Sequence, residues 1–313
     1  MIRLGALLRL IAGAVVLAVV GWRVGSGPFV AGLRSITSWS IAVAAGIGVV
    51  TTVCAAARWR VVARGLGAEI PFTYAVTAYY RSQFLNTLLP GGVVGDVHRG
   101  VRQGRDNGGV GRALRAVAWE RTAGQAVQIA VAIAVLAAFP SPVRSWAPIA
   151  AAAIVASSLI AVLAARALPR VRRMLAPDVR HTLLSRRSWP KIVAASAIVV
   201  GGHAVTFLLA AHVAGSAASM TTMLPLAFLV LLAMSVPFNV GGWGPREGVA
   251  AWVFASAGIG ATQGVATATV YGIFSFVACA PGIAVLASDW LRAASWRHPI
   301  EKRQAWVAAR TSC

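Results

Sequence analysis

The stretch Asn86-Thr87-Leu88-Leu89-Pro90-Gly91-Gly92-Val93-Val94-Gly95-Asp96-Val97-His98-Arg99 interrupts an otherwise apolar chain. Proline removes an amide donor and glycine frees the backbone, so this order predicts a helix that ends at Leu89. Asp96 then stands where it could cap a new helix beginning at Val97, with His98 and Arg99 in its first turn. Free amides at such a start attract anions, and the fork of Arg99 suits a phosphate. A second stretch, Pro237-Phe238-Asn239-Val240-Gly241-Gly242-Trp243-Gly244-Pro245-Arg246-Glu247, repeats the pattern. Pro245 suits a first helical position and Glu247 complements the helix dipole, whereas Arg246 opposes that dipole with no other basic residue near it. Backbone can unwind at membrane depth only where protein or a watery cavity satisfies the freed amides. Ionisable groups in such breaks are costly and mark a functional site, above all when both halves of a chain carry one.

Composition makes this a membrane chain. Hydrophobic residues are 58% and charged residues 12% of the 313, about half the charge of a soluble domain, and mean hydropathy is +0.74. A crossing needs about 20 mostly apolar residues. Candidate spans are 4–22, 37–57, 118–139, 146–165, 191–213, 222–237 and 263–287, with a shorter apolar helix at 246–260 after the second break. The segment 72–90 mixes Tyr74, Tyr79, Tyr80 and Phe84 with Arg81, Gln83 and Asn86. It is too polar to face lipid and reads as a re-entrant or interfacial helix, its aromatics at the membrane interface. The expected fold is an all-α polytopic bundle of about eight transmembrane helices with broken Gly-rich segments in both halves. An integral membrane domain covers 1–290, and a short basic tail covers 291–313.

The charge balance, 29 Lys and Arg against 8 Asp and Glu, would suggest nucleic acid in a soluble protein. In a membrane chain it reads instead as cytoplasmic loops rich in Lys and Arg. Basic clusters at Arg58/Arg60/Arg64, at Arg99 to Arg115, at Arg166 to Lys191 and in the tail place both termini in the cytoplasm. The loop at 23–36, with Arg23 and Arg34, is a mild exception. Seven full spans do not close that topology, and counting 246–260 as a crossing does. The 72–99 stretch must then enter and leave on the cytoplasmic side.

A third charged pair, Glu120-Arg121, opens the span at 118–139. Acids are scarce, so Glu120 stands out as a partner for Arg99 or Arg246, while Arg121 at a helix end would ordinarily snorkel. His203, His212 and Asp289 read as structural or interfacial, and Cys54 and Cys279 as small core hydrophobes. No disulfide framework, metal-ligand spacing or catalytic motif is present, and neither cofactor nor metal is expected.

The run from Ala78 to Arg99, the Glu120-Arg121 pair and the run from Gly241 to Glu247 occur in one order. Together they make the chain resemble the lysylphosphatidylglycerol synthase transmembrane-region family, also described as flippase-like. The resemblance implies a membrane unit that moves a lipid across a bacterial plasma membrane. The aminoacyl-transferase domain of the best-known relatives is absent, so lysine transfer is not expected. The leading expectation is a lipid translocase that binds an anionic or polyprenyl-linked lipid. Arg99 and Arg246 would hold the lipid phosphate, Asp96, Glu120 and Glu247 would hold those arginines when the site is empty, and Arg81, Asn86, Arg121 and Asn239 would complete the substrate site. Pro90, Gly91, Gly92, Gly95, Gly241, Gly242 and Gly244 would form the breaks. Alternatives are a membrane-embedded transferase with Asp96 or Glu120 as base and His98 nearby, or a scaffold for a cell-envelope enzyme. The expected partner is a membrane lipid, not nucleic acid.

Overall fold

Thr37 and Ser40 start the first long helix: the Ser40 hydroxyl accepts from the Thr37 amide at 3.1 Å and donates to the Thr37 carbonyl at 2.8 Å. The computed structural model describes residues 15, 18–89, 92–107, 109–140, 177–235 and 243–292, and their regular elements are helices. These are α1 (Gly27–Arg34), α2 (Ser38–Gly65), α3 (Phe72–Leu88), α4 (Val94–Asp106), α5 (Val110–Ala138), α6 (Trp189–Val213), α7 (Met220–Met234), α8 (Pro245–Ser256) and α9 (Ala261–Cys279). A π-helical turn, Val179–Leu183, precedes α6. Helix resumes after Cys279 and continues to Arg292. Among the described residues four helices are long and apolar enough to cross a membrane: α2, α5, α6 and the combined Ala261–Arg292 unit. At about 1.5 Å per residue, α7 is roughly 22 Å long and α8 roughly 18 Å, both short of the hydrocarbon thickness.

The helices meet through small residues. A Cβ on Gly48 of α2 would come within 2.9 Å of Ala278 Cα, and one on Gly32 of α1 within 2.9 Å of the Ala266 carbonyl. In lipid, where burial of apolar surface gives little drive between helices, such close approach is what holds them together. Two apolar nuclei result. One gathers Phe207, Phe254, Tyr271 and Phe274 from α6, α8 and α9, with the Phe207 ring 5.6 Å from Tyr271 and 6.4 Å from Phe254. The other gathers Trp59, Tyr79 and Val117 from α2, α3 and α5.

Four expectations need correction. α2 continues beyond residue 57 to Gly65, so Arg58 lies within a helix and is buried rather than in a cytoplasmic loop. α5 begins at Val110, not 118, because Arg112 and Arg115 are good helix formers that do not end a helix. Glu120 and Arg121 are therefore some ten residues into it. The loop at 23–36 contains α1, opened by Pro28 in its first turn. α4 begins at Val94, so Asp96 sits inside the helix and does not cap it. Most of the expected span at 4–22, the span at 146–165, Pro90, Gly91, Asn239, Gly241, Gly242 and the tail beyond 292 lie outside the described residues.

Candidate functional site

The chain has eight acids, and among the described residues four of them are buried: Asp96, Glu120, Asp178 and Glu247. A carboxylate taken out of water needs opposite charge or several donors, so these acids show where the arginines converge. Glu120, fully buried on α5, accepts from Arg58 Nε at 2.9 Å, from Arg58 Nη2, from the Tyr79 hydroxyl at 3.0 Å and, at its other oxygen, from Arg99 Nη2 at 3.1 Å. Arg58 also donates to Ser196 at 3.0 Å. Arg99 is itself fully buried between two rings, its guanidinium carbon 4.4 Å from the centre of Trp59 and 4.2 Å from that of Tyr79. Its Nε and Nη1 find no hydrogen-bond acceptor, and the π faces supply part of what is missing.

Asp96 joins this cluster from α4. It accepts from Ser82 at 2.9 Å and Asn86 at 2.9 Å on α3, from Arg99 at 3.1 Å, and from Arg121 on α5. Asn86 also accepts from the Gly95 amide at 2.7 Å, and a Cβ at Gly95 would collide with the Ser82 carbonyl. Gly95 thus lets α4 fold back onto α3 after the first break. Three guanidiniums, Arg58, Arg99 and Arg121, meet two carboxylates, Asp96 and Glu120, which leaves one positive charge. Arg121 carries it outward: its side chain is 49% exposed, against 0% for Arg99.

The second break builds a smaller pair. Gly244 has φ of 115°, a left-handed conformation that L side chains avoid. Glu247 reaches back to accept from the Gly244 amide at 2.7 Å and from Arg246 Nε at 2.8 Å. Arg246 is buried 4.7 Å from the Trp243 ring centre and 5.9 Å from that of Tyr271. Both guanidinium sites have a glycine beneath them. A Cβ at Gly124 would stand 2.9 Å from the Arg58 guanidinium carbon, and one at Gly272 2.9 Å from that of Arg246.

A cavity of 1080 Å³ connects these parts. It is lined by Gly92 and Val93 of the first break, by Met234 and Ser235 just before the second, and by Arg58, Asp96 and Arg121. Tyr79 and Tyr271, one from each apolar nucleus, line it as well. His203 on α6 reaches it too, 3.0 Å from the Tyr271 hydroxyl. Arg99, Arg246 and Glu247 are buried behind this lining. The expected pairing of Glu120 is realised with Arg99 and not with Arg246.

Arg81 lies elsewhere. It is buried and donates to Asp289 at 2.5 Å, and Arg102 grips the same carboxylate with two bonds, at 2.7 and 3.2 Å. Those bonds raise Arg102 above arginine's ordinary value. Partial burial, then Arg81 and Arg102, push His98 below the usual imidazole value. Asp289 is thus a counter-ion, and Tyr79 an interior ligand of Glu120 rather than an interfacial aromatic. Arg58, Tyr79 and Ser82 were missed as site residues. The signal for Arg58 was available: Ala44, Gly48, Thr51, Ala55 and Arg58 follow one small-residue face of α2 at steps of three and four.

A multi-span helical bundle with ionic groups buried between its helices is an integral membrane protein. This chain belongs to the lysylphosphatidylglycerol synthase TM region family, whose profile matches residues 6–282 of its 313. Comparison with curated proteins and with solved structures returned no match.

Proposed function

We propose that this protein binds the phosphate of a membrane lipid in the cavity between its helices and moves that lipid across the bilayer. The observation that carries the reading is the 1080 Å³ cavity, which the half-exposed Arg121 enters from a charge cluster with one excess positive charge. Arg121 lies eleven residues into α5, about 16 Å along a helix roughly 43 Å long. A guanidinium at that depth is costly unless something anionic meets it. The Arg58, Arg99 and Glu120 network holds the Asp96–Arg121 pair in place. Arg246 and Glu247 secure the other wall through Tyr271 and the start of α8. The basic loops support a reading in which both termini face the cytoplasm and the membrane is a bacterial plasma membrane.

The test is a flipping assay in proteoliposomes with acyl-chain-labelled phosphatidylglycerol. Wild-type protein makes the inner-leaflet label accessible to an impermeant quencher. Arg121→Gln, which keeps a polar side chain beside Asp96, slows this about tenfold or more, the worth of one charge-assisted hydrogen bond. Undiminished flipping by that variant would sink the role given to Arg121.

A further inference from the structure

The cavity wall brings six ionisable side chains of the described residues to one space: Arg58, Tyr79, Asp96, Arg121, His203 and Tyr271. Arginine keeps its charge throughout the physiological range, and Asp96 is engaged by Arg99 and Arg121. Tyrosine ordinarily titrates at about 10, whereas an imidazole ordinarily changes charge between about pH 5 and 8. His203 lies fourteen residues beyond Trp189, about 21 Å along a helix roughly 37 Å long, so it stands near the middle of α6. An ionisable group at that depth, facing a cavity, is placed for a proton relay.

The helices packed against α6 set the field at that imidazole. α2 brings Arg58, and α5 brings Arg121 with the buried Glu120 behind it. α9 brings Tyr271, whose hydroxyl is 3.0 Å from His203 Nδ1 and whose ring is held 5.6 Å from Phe207. α7 has no ionisable residue, and the π-helical turn, with Arg180 and His181, leads into the first turn of α6. A protonated imidazole donates from both nitrogens, so Tyr271 then accepts. That proton adds positive charge to a wall already holding Arg58 and Arg121, whose cluster has one positive charge in excess. Like charge opposes it, and a phosphate in the same space favours it. Anion and proton therefore promote each other's binding, and by linkage the effect is reciprocal. A phosphodiester crossing alone is pulled one way by the membrane potential, whereas phosphate and proton cross as a neutral pair. Resting on the translocation reading, we propose that His203 binds a proton when the lipid phosphate enters the cavity, and that proton and lipid cross together. The N–H bond formed on the imidazole at one side breaks at the other as the phosphate leaves, and the proton passes to water.

The experiment reads proton and lipid separately. Detergent-purified protein in weakly buffered solution near neutral pH is titrated with phosphatidylglycerol, whose phosphodiester does not itself titrate there, while an indicator dye follows pH. Wild type should take up protons, at most about one per lipid bound, and its affinity should rise about tenfold between about pH 8.5 and about pH 5.5. His203→Gln, which keeps an amide beside Tyr271, should take up none and bind equally at both pH values, with the wild-type unfolding temperature. In proteoliposomes a pH difference across the membrane should enrich the labelled lipid in the leaflet facing the alkaline side, by up to about tenfold per pH unit. A potassium diffusion potential of either sign should leave the distribution even. Proton uptake absent from wild type, or unchanged in His203→Gln, would overturn the inference. Wild-type flipping that ignores the pH difference would overturn it too and leave the translocation reading intact. Uptake that depends on His203, with no flipping in either direction, would keep the proton site and overturn the translocation reading.

Discussion

Glu120 shows best what one side chain decides. It is the acceptor for Arg58, Arg99 and the Tyr79 hydroxyl, so its loss leaves two buried cations facing each other. Breaking a buried ionic group from one side costs about 3–5 kcal/mol. Glu120→Ala should lose that much in reversible unfolding in detergent, and Glu120→Gln, which retains an acceptor, should lose less. A change within about 1 kcal/mol for the alanine variant would mean that the cluster is not a structural unit. At this scale the sequence was informative about acids and uneven about arginines. Scarce carboxylates drew attention to Asp96, Glu120 and Glu247, and each is buried with arginine partners. Arginines are plentiful, and only the small-residue face that Arg58 shares with Ala44, Gly48, Thr51 and Ala55 separates it locally from the solvated Arg64, 68% exposed, six residues later. Its partner Glu120 is fixed at long range, by where α2 and α5 cross.

Helices were legible wherever apolar period and length agreed. The span expected at 191–213 falls on α6, and Pro245 opens α8 as its fixed backbone angle favours. Boundaries failed where charged residues continue a helix beyond its apolar window, at the end of α2 and the start of α5. Asp96 failed as a cap because its side chain is drawn to Ser82, Asn86 and Arg121 on other helices and to Arg99 one turn on, rather than to its own backbone. The same kind of tertiary claim joins α3, α4 and the last helix at Asp289. Arg81 is 4% exposed at that junction and Arg102 is 40% exposed, so the two halves of the clamp should differ. Asp289→Asn leaves the buried Arg81 without a counter-ion and should cost roughly 1–3 kcal/mol, whereas Arg102→Gln, at the surface, should cost under about 1 kcal/mol. Equal shifts in melting temperature for the two variants would show that the clamp is a solvated contact.

Across the described residues, two apolar nuclei flank a cavity with charged groups in its wall, and Gly92 and Val93 of the first break share that wall with Met234 and Ser235, just before the second. That convergence was an open expectation from the sequence, since no local pattern specifies which helices lie beside one another. The cavity makes a claim about space as well as charge. Ile133 lines it on α5 and is 41% exposed, so a larger side chain has room to enter. Ile133→Trp should keep the wild-type unfolding temperature and slow lipid flipping, and a normal flipping rate would place the transport path elsewhere. The Asp289 clamp carries a further consequence. The segment shared with the family ends at residue 282, and Asp289 lies seven positions outside it. A chain trimmed to the shared segment would keep every motif by which kinship is read. It would also lack the acid that neutralises Arg81, so the part that marks its descent would fold with one buried cation left uncompensated.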